Sequence, residues 1–166
     1  MFNIHPYKFL EIYKEETEEL LYSLDFTNYI FLPDYSGEDE IFVKQNLVWF
    51  QIKDNILYVS NSHNAYAYET NNLNAYITAI DLSDMSILWR TEPLVANTFN
   101  FAILDDVLFC GYGYTDEEDY LYQIDLNNGK VVNKILLKTS PEYIIVKDSI
   151  LYVRCFDTDY QFNVGE

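Results

Sequence analysis

One phrase of seven residues occurs three times, and it limits the chain more than any other feature. It reads Lys53-Asp54-Asn55-Ile56-Leu57-Tyr58-Val59, then Leu104-Asp105-Asp106-Val107-Leu108-Phe109-Cys110, then Lys147-Asp148-Ser149-Ile150-Leu151-Tyr152-Val153. Each copy places short polar residues before a β-branched and aromatic run. Asp, Asn and Ser bond the local backbone and tolerate positive φ, so they suit a tight turn, and the run that follows favours a pleated, packed strand. A second phrase follows in register: Ala75-Tyr76-Ile77-Thr78-Ala79-Ile80-Asp81-Leu82 leading to Ile87-Leu88-Trp89, and Asp119-Tyr120-Leu121-Tyr122-Gln123-Ile124-Asp125-Leu126-Asn127-Asn128-Gly129-Lys130-Val131-Val132. Both read as strand, turn, strand, with Asn128-Gly129 supplying the positive φ and Asp125 able to bond the turn backbone. An inner strand precedes each unit (Leu47 to Ile52, Phe99 to Leu104, Tyr143 to Val146), which gives four strands per unit. Leu57 to Leu108 is 51 residues and Leu108 to Leu151 is 43, a repeat length that belongs to stacked or radial arrays of small antiparallel sheets.

The strings "LYxIDLxxGKVV" and "D(D/N)xLYV" resemble the repeat of quinoprotein-type (PQQ-like) β-propellers, whose blades commonly read "YALDxxTGxxxW". The resemblance covers residues 46–164. It implies an all-β fold, a partial or small propeller of three to four blade-like antiparallel sheets. Complete propellers of that family carry several more blades, and nothing in these residues points to a bound quinone, so no cofactor is expected. Residues 1–166 are read as one domain, with an N-terminal segment over 1–45 and blade-like repeats over 46–166. With so few blades, the expectation is either an open array whose strand edges the N-terminal segment caps, or a ring closed by homodimerisation. The last repeat, Asp159-Tyr160-Gln161-Phe162-Asn163-Val164, stops before its fourth strand, which an N-terminal strand could supply.

Residues 7–24 admit two readings. Residues 7–25 align without a gap on 107–125, as a degenerate blade. The rival is a helix, since Pro6 suits a first turn and Phe9, Leu10, Tyr13, Thr17, Leu20, Leu21 and Leu24 keep a 3-4 spacing. Tyr29 to Leu32 reads as a strand, and Pro33 to Glu40 as an acidic loop.

The formal charge is −17, from 27 acids against 10 bases. Phosphates would repel such a surface, so direct nucleic-acid or anionic-membrane partners are excluded in favour of a basic protein. The excess recurs, with 10 acids to 3 bases over residues 1–45 and 7 to 3 over residues 101–140. The start, MFNIHPYKFLEIYKEE, holds no basic n-region or apolar h-region, which leads to a cytoplasmic expectation. Cys110 and Cys155 lie in apolar stretches and read as two buried thiols.

A search for catalytic groups yields little, and the chain is read as a non-enzyme. His5 and His63 are the two histidines, and Ser62-His63 are neighbours in what reads as a polar loop. Two histidines with isolated cysteines fall short of a zinc ligand set. Pairs such as Asp105-Asp106 and Asp157-Thr158-Asp159 sit at turns, where water keeps them ionised. Asp125-Leu126-Asn127-Asn128-Gly129 lacks the remaining ligands of a calcium loop, and Gly111-Tyr112-Gly113 has no following helix to hold a phosphate.

Two aromatic, acidic hairpin ends remain. One holds Tyr66, Tyr68 and Glu69; the other runs from Tyr112 and Tyr114 through Asp116, Glu117, Glu118 and Asp119 to Tyr120. If the blades stack, both lie on one rim, and Glu38, Asp39 and Glu40 of the acidic loop are further candidate carboxylates. Tyr anchors contacts and carboxylates attract a basic partner. The expected function is protein binding, in its sharpest form that of an immunity or antitoxin protein masking a basic toxin domain such as a nuclease. The alternative is a propeller-like scaffold with a small-ligand pocket at the blade axis.

Overall fold

The computed structural model describes residues 2–5, 8–29 and 40–164. Among the described residues fourteen strands form four antiparallel sheets in chain order. Sheet I holds β1 (Phe2–His5), β2 (Phe9–Tyr13) and β3 (Leu20–Asp25). A short helix, α1 (Glu40–Val43), leads to sheet II, made of β4 (Asn46–Lys53), β5 (Ile56–Ser62), β6 (Tyr76–Asp81) and β7 (Ile87–Arg90). Sheet III has β8 (Ala102–Leu104), β9 (Val107–Tyr112), β10 (Tyr120–Asp125) and β11 (Val131–Leu136). Sheet IV has β12 (Pro141–Lys147), β13 (Ile150–Cys155) and β14 (Asp159–Asn163). The four-stranded expectation holds for sheets II and III.

The turn phrases fold as their residues require. Asp54 and Asn55 take φ of 50° and 63°, Asp148 and Ser149 take 51° and 60°, and Asp105 takes 50°. The left-handed pairs Asp54-Asn55 and Asp148-Ser149 match the twist of the strands they join. The hairpin turns are held by side chains: Asp81 accepts from the Ser83 N–H at 2.7 Å, and Asp125 from the Asn127 N–H at 2.8 Å. Gly129 takes φ 72°, and a Cβ there would meet the Trp89 ring of sheet II at 2.4 Å. Trp89 also donates its indole N–H to the Leu126 carbonyl at 3.0 Å, so the glycine turn of sheet III is the seat of the neighbouring sheet's tryptophan.

A fourth copy of the repeat lies in sheet I. The bond from Leu82 N–H to Asn55 O (3.0 Å) recurs as Leu126 to Asp106 (2.9 Å), Val164 to Ser149 (2.9 Å) and Phe26 to Lys8 (2.7 Å). Lys8-Phe9-Leu10 is therefore equivalent to Asn55-Ile56-Leu57. Residues 9–13 and 20–25 are strands, so the blade reading stands and the helix reading is overturned. The gapless alignment needs a two-residue correction, because Leu24 pairs with Leu10 whereas Ile124 pairs with Leu108. The end of the expected strand at Tyr29 to Leu32 and most of the acidic loop lie outside the described residues.

Period-2 alternation sends successive side chains to opposite faces, and the middle sheets bury both. Sheet II turns Leu57, Val59 and Ile80 towards sheet I, and Tyr58, Ile77 and Ala79 towards sheet III. Sheet III meets sheet II through Leu108, Cys110 and Ile124, and sheet IV through Phe109 and Leu121. In sheets II to IV the repeat leucine thus faces the preceding sheet. Sheet I departs from this rule, since Leu10, Ile12 and Leu24 face sheet II, which follows it. Its opposite face carries Phe9, Glu11, Ser23 and Asp25, with Phe9 41% exposed. The more apolar face wins the contact, so sheet I is turned over and covers sheet II. Among the described residues no cluster joins sheet IV to sheet I, and Ile145 on the outer face of sheet IV is 58% exposed. The array is open, and the N-terminal strands pair with one another instead of completing sheet IV. Among the described residues no helix is long and apolar enough to cross a membrane.

Candidate functional site

The connections β5–β6 (residues 63–75) and β9–β10 (residues 113–119) leave the same rim of sheets II and III, and they touch. Tyr66 meets the edge of Tyr114 at 4.8 Å and 87°, and stacks on Tyr68 at 5.4 Å and 13°. Tyr114 donates its hydroxyl to the Asn64 carbonyl at 3.3 Å. Glu117 ties the two tips: one carboxylate oxygen accepts the Ala67 N–H at 2.7 Å, and the other accepts the Tyr112 hydroxyl. Burial and that carboxylate push the Tyr112 phenol well above its ordinary range. A 3-10 turn over Ala67–Thr70 carries Tyr68 and Glu69 outward, with Tyr68 66% exposed.

The four acids of the second tip have four different roles. Asp116 is exposed and lies 3.4 Å from the Tyr66 hydroxyl. Glu117 is the internal tie. Glu118 accepts from the Tyr120 hydroxyl at 2.7 Å. Asp119 folds back over Gly113, where an added Cβ would lie 1.9 Å from Oδ1. That oxygen is buried without a hydrogen-bond partner, and desolvation raises the pKa of the carboxyl. Glu38 and Asp39 lie outside the described residues, and Glu40 begins α1.

Beside the tips a cleft of 760 Å³ opens across sheets II, III and IV, with His63, Asn97, Tyr114, Asp119 and Ser140 on its walls. Its walls come from segments far apart in the chain, so no single run of residues marks it. Asn97 accepts the Gly113 N–H at 3.2 Å and donates to the Gly113 carbonyl at 2.7 Å, which fixes the floor beneath Asp119.

His63 is not the solvated loop residue expected, being 3% exposed at the end of β5. Its backbone N–H donates to Asn74 Oδ1 at 2.8 Å, and Nδ1 accepts the Ala65 N–H at 3.2 Å. With Nδ1 an acceptor, Nε2 carries the proton and donates to Thr70 Oγ1 at 2.7 Å. Burial holds the imidazole pKa at about 4, against the pull of Glu117. Both partners of this His–Thr pair are buried. Both thiols are buried and free, and burial raises Cys155 to about 11 and Cys110 further. Among the described residues no group of three or more His, Cys, Asp or Glu could hold a metal ion.

The fold and rim define an all-β, propeller-like protein with four blade-like sheets. Among solved structures it is similar to the computationally designed Ika4 protein, with a TM-score of 0.58 and 12% identity, over 99% of this chain and 84% of that one. It is also similar to BamB from Moraxella catarrhalis (TM-score 0.44, 10% identity, 96% of this chain and 54% of that one). A europium-containing methanol dehydrogenase matches at a TM-score of 0.43 and 16% identity, over 73% of this chain and 26% of that one. The chain therefore spans about half of BamB and a quarter of the dehydrogenase. No protein-family model matches, and no curated protein matches in sequence.

Proposed function

We propose that the chain is a non-enzymatic binding module whose tyrosine and carboxylate rim takes a basic protein. One observation carries the reading: two tips 50 residues apart are locked together by Glu117, Tyr66 and Tyr114, and this built platform holds Tyr68, Glu69, Asp116 and Glu118 outward. A preorganised aromatic anchor ringed by carboxylates binds with little ordering cost. The net charge of −17 adds long-range attraction for a cationic partner. A toxin domain with a basic cleft is the partner class that fits best, which makes the chain an immunity-type inhibitor acting from the cytoplasm.

The test is whether a reading frame beside the one for this chain encodes a basic domain and, where it does, binding to that domain, measured at about 0.05 M and about 0.3 M salt; a neighbourhood without such a domain counts against the reading. Association should slow at the higher salt, and Tyr68→Ala should weaken binding by about thirtyfold, or ~2 kcal/mol. Salt-independent affinity, or no effect at Tyr68, would reject the rim. The cleft of 760 Å³ supports a second reading, a small-ligand module, which predicts affinity with little salt dependence.

A further inference from the structure

We infer that the cleft across sheets II to IV is a socket for an organic cation, the guanidinium of an arginine side chain, with Asp119 as its acceptor. Asp119 lines the cleft, yet Oδ1 has no hydrogen-bond partner and no Lys or Arg among the described residues pairs with the carboxylate. A carboxylate partly withdrawn from water without a partner is costly, and such groups are normally paired. Gly113 makes the placement possible, since any side chain there would displace the carboxylate. Oδ1 itself is shielded against Gly113, so what Asp119 offers to the cleft is the rest of a carboxylate that has no cation of its own among the described residues.

The other walls suit the same occupant. Phe99 and Phe156 line the cleft with 55% and 79% of their surface exposed, and Tyr114 adds a third ring. Exposed rings present a negative face to a flat, weakly hydrated cation and an apolar surface to its aliphatic stem. This chain already uses that chemistry within itself: the Arg90 guanidinium lies 3.9 Å from the centre of the Tyr76 ring. Glu142 is a second carboxylate on the wall. Lys138 is the opposing charge; it is exposed at the cleft, and its flexible stem can carry the ammonium into solvent. An anion would find Lys138 but would face Asp119 and Glu142, so the cation is favoured.

The inference rests on the proposed function only for the source of the arginine, a side chain of the basic partner. The site itself is tested without that partner. Nα-acetyl-arginine amide is titrated against the protein and followed by NMR shifts of Gly113, Asp119 and Phe156, beside its uncharged isostere, Nα-acetyl-citrulline amide. The arginine amide should bind and the citrulline amide should not. Asp119→Asn should weaken the arginine amide roughly ten- to a hundredfold, as expected for loss of a charge-assisted hydrogen bond. Phe156→Ala, on an exposed ring that the fold does not need, should weaken it severalfold. Equal binding of the two amides, an unchanged affinity in Asp119→Asn, or preferential binding of inorganic phosphate through Lys138 would each overturn the socket. The two readings can fail separately. Salt-sensitive binding of the basic domain through Tyr68, with no response to the arginine amide, ends the socket and leaves the rim. An arginine amide that binds while the basic domain does not ends the rim reading and leaves the socket.

Discussion

His63 should make the stability of this protein depend steeply on pH above the range where carboxylates titrate. The imidazole is 3% exposed and neutral, and its Nδ1 is already the acceptor for the Ala65 N–H. A proton there would bury a charge and set two donors against each other. The folded-state pKa is about 4, while the unfolded chain has the ordinary 6.5. A depressed pKa means that the unfolded state binds the proton first, so stability is fully present above about 6.5 and is lost as pH falls towards 4. Linkage over that interval gives a loss of about 2 kcal/mol at pH ~5 and about 3 kcal/mol at pH ~4, relative to pH ~7.5. Asp119 acts in the opposite direction: its raised pKa costs stability at neutral pH, and protonation on acidification relieves the cost. Asp25, Asp125 and Asp159 have lowered pKa values, chiefly from bonds with Thr27, Asn127 and Arg154, and they lose their contribution only below the ordinary carboxylate range. The clean quantity is therefore a difference between proteins. Urea unfolding of the wild type and of His63→Gln is measured from pH ~7.5 to ~4.5, where the other groups cancel. The variant is expected to be less stable at pH ~7.5, and its loss between pH ~7.5 and ~5 should be smaller by about 2 kcal/mol. With two histidines in the chain, imidazole NMR titration provides an independent reading. Parallel pH profiles for the two proteins, or a His63 resonance titrating near 6.5, would refute the argument.

Two further predictions concern packing and the tips. Leu10→Ala removes the fourth repeat leucine from the junction of sheets I and II and should cost about 2–5 kcal/mol in urea unfolding, whereas Ser23→Ala on the exposed face of sheet I should change stability by less than about 0.5 kcal/mol. Glu117→Ala leaves the Ala67 N–H without its acceptor and should lower stability by about 1–3 kcal/mol, with Asp116→Ala close to neutral; equal effects would show that the tips are not tied through Glu117.

The sequence by itself determined what is decided within a few residues. Asp54-Asn55 and Asp148-Ser149 specify left-handed turns and Gly129 a left-handed turn position, because short side chains and glycine tolerate positive φ. The strand runs that follow them carry their own alternation, so sheets II, III and IV, and the missing fourth strand of sheet IV, were legible. Sheet I was not, because Phe9, Leu10, Tyr13, Thr17, Leu20, Leu21 and Leu24 keep a helical 3-4 spacing while Leu10 and Ile12 alternate as in a strand. The choice was made by the leucine face of sheet II, which had to be covered by the more apolar side of whatever lay beside it. The same holds at the site. Tyr66, Tyr114 and Asp116 could be placed on one rim by counting repeats, but the roles of the acids could not be read from their run. Glu117 became a tie because the Ala67 N–H that it accepts comes from a segment that only the stacking of sheets brings within bonding distance. His63 became a buried neutral ring because the β5–β6 connection folds Asn74 and Thr70 back onto it, and Asp119 an inward carboxylate because Gly113 leaves room for it. Local backbone preference is encoded residue by residue, whereas burial and pairing are properties of the assembled layers.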